Sequence, residues 1–227
     1  MTRRAPLRLL APLESDVGSL ADRAYYAIRE QIVSLRMPPG GVINERELIA
    51  ELGIGRTPVR EALRRLAREK LVEVYPRRGM FVTTVDVRDL ARLCEVRLPL
   101  EAEAARLAAE RATETDLEGL RALLGELEHG SRRDRRGLMD LDERIHRAVY
   151  RASHNRFLEE ALEEYYALAL RIWVMAVHQK GALQAAVLEH RALLEAVVAG
   201  DGERAGQVMR EHVTDFERSM RDALLSK

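Results

Sequence analysis

Between Ile43 and Thr84 the residues order a helix, a tight turn, a second helix and a hairpin, and no other stretch of this 227-residue chain constrains the fold so closely. Asn44 or Glu45 can start a helix whose apolar side is Leu48, Ile49 and Leu52. Gly53-Ile54-Gly55 then supplies permissive backbone for a turn. Thr57 reads as an N-cap, with Pro58 as the first helical residue, where a missing N–H costs nothing. On the helix that follows, Val59, Ala62, Leu63 and Leu66 share one face by the three-four rule, which leaves Arg60, Arg64 and Arg68 along the opposite face. Val72 and Val74, then Met80, Phe81, Val82 and Val85, are β-favouring runs split by Pro76-Arg77-Arg78-Gly79, a turn with two cations at its tip. A helix-turn-helix followed by a basic-tipped hairpin is the arrangement of a winged DNA reader. In such motifs the second helix enters the major groove, where an Arg pairs with both acceptors of a guanine edge.

Charge agrees with that placement. The chain is neutral overall, but residues 1–85 hold 15 Lys+Arg against 10 Asp+Glu, and the remainder holds 22 against 27. The basic end is the end that would face phosphate. The length suits two modest domains. Cys94 is the only cysteine, so no intramolecular disulfide forms; it reads as a small core residue beside Leu90 and Leu93, and a reducing cytoplasm is the expected setting. The stretch before Leu13 is too short and, with Arg3, Arg4 and Arg8, too charged for a signal-peptide core, and residues 1–18 read as a flexible arm. The longest later apolar run, Tyr165 to Val177, is broken by Arg171 and falls short of the span of about 20 residues that a membrane helix needs.

Beyond Val85 the β-branched runs vanish and helix signals recur, which predicts an all-α bundle over 86–227. Asp86 can cap a helix running to Arg111, with Pro99 as a kink, and Thr113 or Thr115 opens another. Gly130 to Gly137 reads as a connection. Further helices are expected over 138–152, 156–177, 183–199 and 203–225, with a break at Gly200-Asp201-Gly202.

Asp142 and His146, four residues apart, share a helix face with a rise of roughly 6 Å between them. His190 and His212 each sit mid-helix with apolar neighbours at helical spacing, so both are candidates to point into the bundle. Taken singly, each is more often a solvated acid or a hydrogen-bonded core histidine than a ligand. His129, His154 and His178 lack partner spacing and read as surface or outer residues; Tyr165, Tyr166 and Trp173 read as packing residues.

The string Glu45-Arg46-Glu47-Leu48, followed by GIGRTPVREALRRLAREKLVEVYPRRGMFV from Gly53 to Val82, resembles the winged helix of GntR-family bacterial transcription regulators over about residues 19–85. The resemblance implies that Arg46, Arg56, Thr57 and Arg60 match DNA-contacting positions, with Gly79 at the wing turn; Arg64 and Arg78 join them from their place on the helix face and the hairpin tip. Two positions depart from the pattern. Gly55 stands where Ser or Thr is common, and Lys70 stands where Gly usually follows the recognition helix. The spacing of Asp142, His146, His190 and His212 resembles the FCD effector domain of the FadR-type subgroup, in which all four are metal ligands; Ile145 stands where Phe is commoner. Arg97 and Asn155 match positions that could hold an effector, although Arg97 also stands at i,i+4 to Glu101, and Asn155 can cap the helix after it.

Three imidazoles and a carboxylate suit a divalent ion, Zn first, with Ni, Mn, Co or Fe as alternatives, and leave positions open for water or a small carboxylate. The expectation is therefore a mostly α protein: a winged helix-turn-helix over 19–85 joined to an all-α ligand-binding and dimerisation domain over 86–227. It would be a cytoplasmic homodimer, probing a short inverted repeat of double-stranded DNA, with a small carboxylate as effector and repression as the sign. The alternatives are a metal-dependent hydrolase or other metalloenzyme fused to a DNA-binding domain, with Glu143 or Glu189 as base, and a helical domain that only dimerises, its histidines structural. Adjacent positions on a helix point about 100° apart, which sets both acids away from the ligands.

Overall fold

A computed structural model describes residues 18–128, 134–176 and 180–225, and divides into two compact units that meet in sequence between Val85 and Asp86. The expected arm before Gly18, residues 130–133 of the 130–137 connection, His129 and His178 lie outside the described residues.

The first unit opens with α1 (Leu20–Val33), started by a capping box in which Ser19 Oγ accepts from the Asp22 N–H and the Asp22 carboxylate accepts from the Ser19 N–H. A two-residue strand, β1 (Val42–Ile43), precedes α2 (Glu45–Leu52), which Asn44 caps. Gly53 closes α2 at φ +62, a conformation glycine adopts without a Cβ clash. Then come α3 (Arg56–Arg68), β2 (Val72–Tyr75) and β3 (Gly79–Val82). The three strands form an antiparallel sheet in the order β1-β3-β2, with Val42 opposite Phe81, Val72 opposite Val82 and Tyr75 opposite Gly79. Ile28, Ile32, Leu48, Ile54, Val59, Leu63, Leu66 and Leu71 are the buried centre.

Two details differ from the sequence reading. Helix α3 begins at Arg56 rather than after Thr57, with Gly55 as an N-cap that has no side chain to donate or accept. Pro58 is tolerated there because all N–H groups of the first turn lack intrahelical partners, not only the first. The second is β1, which sequence gave no sign of, because two residues are too few to show an alternating pattern.

Among its described residues the second unit holds six helices: α4 (Val87–Arg111), α5 (Glu114–Glu128), α6 (Arg135–Ala152), α7 (Arg156–Ala176), α8 (Lys180–Val198) and α9 (Gly202–Leu225). Asp86 caps α4 as expected, and Pro99 sits inside that helix. Thr113 and Asp116 form the reciprocal cap of α5. Helix α6 starts three residues earlier than its apolar pattern suggests, because Asp134 accepts from the Gly137 N–H and so draws residues 135–137 out of the expected loop. Helices α4 and α9 pack most closely: a Cβ added at Gly206 would stand 3.2 Å from the Ala102 carbonyl oxygen, and one at Gly202 would stand 3.1 Å from that of Arg106. Among the described residues no helix is long and apolar enough to cross a membrane.

Candidate metal centre and nucleic-acid interface

On the first unit Arg46, Arg56, Thr57, Arg60, Arg64, Arg78 and Gly79 are all exposed. Helix α3 orients its arginines by burying the opposite face, Val59, Ala62, Leu63 and Leu66. Arg60 is also steered: its Nε donates to Glu45 Oε2 at 2.8 Å, which ties the exposed face of α3 to the start of α2. At the other end of the face, Lys70 takes φ +60 while the Leu71 N–H bonds the Leu66 carbonyl and the Lys70 N–H bonds that of Ala67. This pair of bonds is the left-handed helix stop that glycine suits best, so the position still turns as the family pattern demands and carries the strain of a side chain. The hairpin tip has two left-handed residues, Arg77 at φ +63 and Gly79 at φ +104, and Arg78 reaches back over the Tyr75 ring at 6.0 Å.

In the second unit α6, α8 and α9 bring His146, His190 and His212 together, with one ligand atom from each lying within 4.8 Å of the others. The Nε2 atoms of His146 and His190 are 3.1 Å apart. Asp142 joins them, Oδ1 at 3.7 Å from His190 Nε2 and Oδ2 at 4.0 Å from His146 Nε2. Its Oδ2 accepts from the Tyr166 hydroxyl at 2.7 Å, which orients the carboxylate.

The outer nitrogens explain why the inner ones converge. His190 Nδ1 lies 3.2 Å from the Val187 carbonyl, which can only accept, so Nδ1 carries the proton and Nε2 is bare. His212 Nδ1 lies 3.7 Å from Glu189 Oε2. Burial lowers the His190 pKa to about 4, and burial, with the neighbouring His190, His146 and Arg97, holds His212 well below its ordinary value. Both are neutral at pH 7, the form a metal requires. Two ligands sharing one ion at about 2.1 Å each and a right angle stand about 3 Å apart, so the spacing of His146 and His190 fits a divalent cation.

Beside this cluster lies a cavity of about 230 Å³. Arg97, Asp142, His146 and His212 line it, opposed by the apolar surfaces of Leu170, Trp173, Phe216 and Met220. Arg97 is 2% exposed. Its Nε and Nη2 each meet Glu101 Oε1 at 2.6 Å, its guanidinium covers the Phe216 ring at 5.0 Å, and Nη1 has no hydrogen-bond partner. The i,i+4 pair anticipated from sequence thus exists and still leaves one cationic edge over for an anion.

Asn155 stands apart from this cavity wall: its Oδ1 accepts from the Leu158 N–H and its own N–H bonds Ser153 Oγ, so it caps α7. Trp173 and Tyr166, read as packing residues, also face the cavity. Glu189, expected to point away, lines it too, since an acid turned about 100° from His190 faces α9 and His212 instead. Burial, then Asp215, raises the Glu189 pKa. Glu143 pairs with Arg147 at 3.7 Å. His154 is at the surface, 2.8 Å from Asp116. Cys94 is buried and its thiol is pushed up to about 11 by desolvation, the behaviour of a core residue. Sequence reasoning missed the place of Glu101 and Tyr150 behind His146; the signals were Glu101 lying one turn after Arg97 and Tyr150 one turn after His146.

Fold and sites together define a class: a winged helix with exposed arginines, carried in one chain with a helical unit that gathers imidazoles around a cavity. The family model described as bacterial regulatory proteins, gntR family, matches residues 20–82, and that of the FCD domain matches residues 92–215. An HTH-type transcriptional regulator of Streptomyces ambofaciens is 32% identical over 86% of this chain and 84% of its own length. The galactonate operon transcriptional repressor of Escherichia coli K12 is 28% identical over 88% of this chain and 96% of its own. Among solved structures, E. coli McbR/YncC matches with a TM-score of 0.75 at 26% identity, covering 87% of this chain and 94% of that one. The chain belongs to the GntR family of bacterial transcription regulators and carries an FCD domain. Its relatives regulate transcription, and the hydrolase alternative falls with that finding.

Proposed function

We propose that this regulator is a metal-dependent sensor of a small carboxylate, which binds a short inverted-repeat operator as a homodimer and releases it when the effector fills the cavity of the FCD domain. The observation that carries the reading is the cluster of His146, His190, His212 and Asp142, of which His146, His212 and Asp142 line a cavity that Arg97, its Nη1 unpartnered, lines with them. Asp142, His146, His190 and His212 would hold a divalent ion, Zn most naturally for this nitrogen-rich set, or Ni, Mn, Co or Fe. The bound ion would supply an electrophilic anchor for a carboxylate oxygen. Arg97 would take the other oxygen, while Trp173 and Phe216 exclude water around the rest of the molecule. The capping role of Asn155 gives it an indirect part, through the start of α7.

Arg46, Arg56, Thr57, Arg60, Arg64, Arg78 and Gly79 would make the DNA face, with Arg60 held by Glu45 for base contact and the wing tip laid on phosphate. Repression is supported by the similar galactonate operon repressor. Effector control requires only that the carboxylate bind more tightly to the arrangement of the dimer that does not fit the operator. The test is a melting assay of protein purified without chelator, its metal content measured, against a panel of small carboxylates. Stabilisation by an acid in the metal-loaded form alone supports the reading. Unchanged metal content and unchanged acid response in His190→Ala would overturn it.

A further inference from the structure

Arg97 and Glu101 lie one turn apart on α4, 2% and 0% exposed. Arg97 grips Glu101 Oε1 along one edge, and the other carboxylate oxygen, Oε2, lies 3.1 Å from Nδ1 of His146. The Tyr150 hydroxyl lies 3.1 Å from that same nitrogen. At that distance the carboxylate acts on the ring nitrogen through its field. A buried ion pair is costly to assemble and is weak evidence for stability on its own.

We propose that Glu101 is a positioning residue that selects the tautomer of His146 with its proton on Nδ1, and so keeps Nε2 bare for a metal; the proposal rests on the metal site described above. Neutral imidazole has one protonated nitrogen, and the site offers two closed arrangements. In the first, Nδ1–H faces the Glu101 carboxylate and the Tyr150 oxygen, and the bare Nε2 faces the bare Nε2 of His190 at 3.1 Å. Two lone pairs at that distance are left for a cation to join. In the second, Nδ1 is bare and accepts from the Tyr150 hydroxyl, Nε2–H donates to His190, and the two histidines close on each other with no ligand atom free.

The Tyr150 hydroxyl by itself is compatible with both, since it donates or accepts, and it is its bond to the Glu101 carboxylate that turns its oxygen towards an N–H. Glu101 is not compatible with both. An ionised oxygen 3.1 Å from a bare nitrogen is repulsive, and from an N–H it is attractive, in a dry interior where screening is weak. Arg97, which keeps its own proton under all ordinary conditions, holds Glu101 ionised. Metal affinity is thereby governed by a residue that reaches the ion only through the His146 ring, as an outer carboxylate does for ligating histidines generally.

The experiment uses the full chain, stripped of metal, in the wild type, Glu101→Gln and Tyr150→Phe. The ¹⁵N shifts of the His146 ring report the tautomer, and calorimetric titration with Zn²⁺ reports affinity. Wild type and Tyr150→Phe are expected to show Nδ1–H. In Glu101→Gln the carboxamide NH₂ donates to Nδ1, the proton moves to Nε2, and Zn²⁺ affinity falls by about 10- to 100-fold. If the Gln protein does not fold, the joint replacement Arg97→Met with Glu101→Leu removes both charges without stranding either, and the same shift of tautomer is expected. Retention of Nδ1–H in Glu101→Gln or in the joint variant, or its loss in Tyr150→Phe alone, would overturn the proposal. A wild type that takes up no Zn²⁺ while its tautomer still follows Glu101 would sink the metal reading and leave the positioning role standing.

Discussion

Lys70 shows at the scale of one residue how a family position can change identity and keep its geometry. Its φ of +60 stands in the left-handed region, and the helix stop it forms is complete. Lys70→Gly should therefore stabilise the first unit, by about 1 kcal/mol, since the relief of a left-handed side chain exceeds the entropy glycine adds to the unfolded chain. Chemical denaturation of the two proteins measures it, and an unchanged midpoint counts against the strain. His190 gives a second residue-scale prediction, for protein stripped of metal. Its unfolded pKa is the ordinary 6.5 and burial lowers the folded value to about 4. As pH falls through that window the unfolded chain takes up a proton the folded one refuses, so stability declines from about pH 6.5 and the decline from this residue levels off near 4. Burial would raise Glu101, but Arg97, then His146, outweigh it and hold it at about 2; its contribution is present above 4.5 and is lost as pH falls through 2. Melting temperatures of chelated wild type and His190→Gln across pH 4–7 should differ in slope, and parallel curves would reject the assignment.

At the scale of elements, the close pair α4–α9 sets the site. Arg97 and Glu101 ride on α4, His212 and Phe216 ride on α9, and Gly206 and Gly202 let the two backbones approach. Gly206→Leu should wedge the pair apart, destabilising the second unit by about 1–3 kcal/mol and weakening metal retention together with it. Thermal melting and metal analysis after dialysis check both; loss of stability with metal retention intact would separate the packing from the site. The helices themselves were legible in sequence because caps are local: Asp86 and the Thr113/Asp116 pair act within four residues. The Asp134 cap of α6 and the Gly55 start of α3 were not, since each competes with an equally good neighbour, an apolar residue at 138 and a threonine at 57.

For the whole molecule, the charge split and the exposed arginines predict binding dominated by phosphate neutralisation. Arg46→Ala should weaken binding to all duplexes alike and make the slope of log affinity against log salt shallower by about one unit, whereas Arg60→Ala should cost about 1–3 kcal/mol on the operator only. Fluorescence anisotropy with specific and scrambled duplexes distinguishes the two, and equal losses on both sequences in Arg60→Ala would remove it from base contact. A duplex carrying one half-site should bind much more weakly than the inverted repeat if the protein reads DNA as a dimer.

Sequence by itself determined the parts of this protein that depend on neighbours along the chain: the helical periods, most caps, the basic tip of the hairpin, and the arginine face that follows once Val59, Leu63 and Leu66 are buried. It also carried the spacing of Asp142 and His146, because a helix fixes residues four apart. Tertiary structure alone decided which atoms of distant helices meet. Nothing local places His190 Nε2 at 3.1 Å from His146 Nε2, leaves Arg97 Nη1 over after its pairing with Glu101, or assigns Asn155 to a cap away from the cavity wall. Those distances follow from how closely α4, α6, α8 and α9 pack, and packing depends on the shapes of faces that lie far apart along the chain, as Arg97 and Phe216 do.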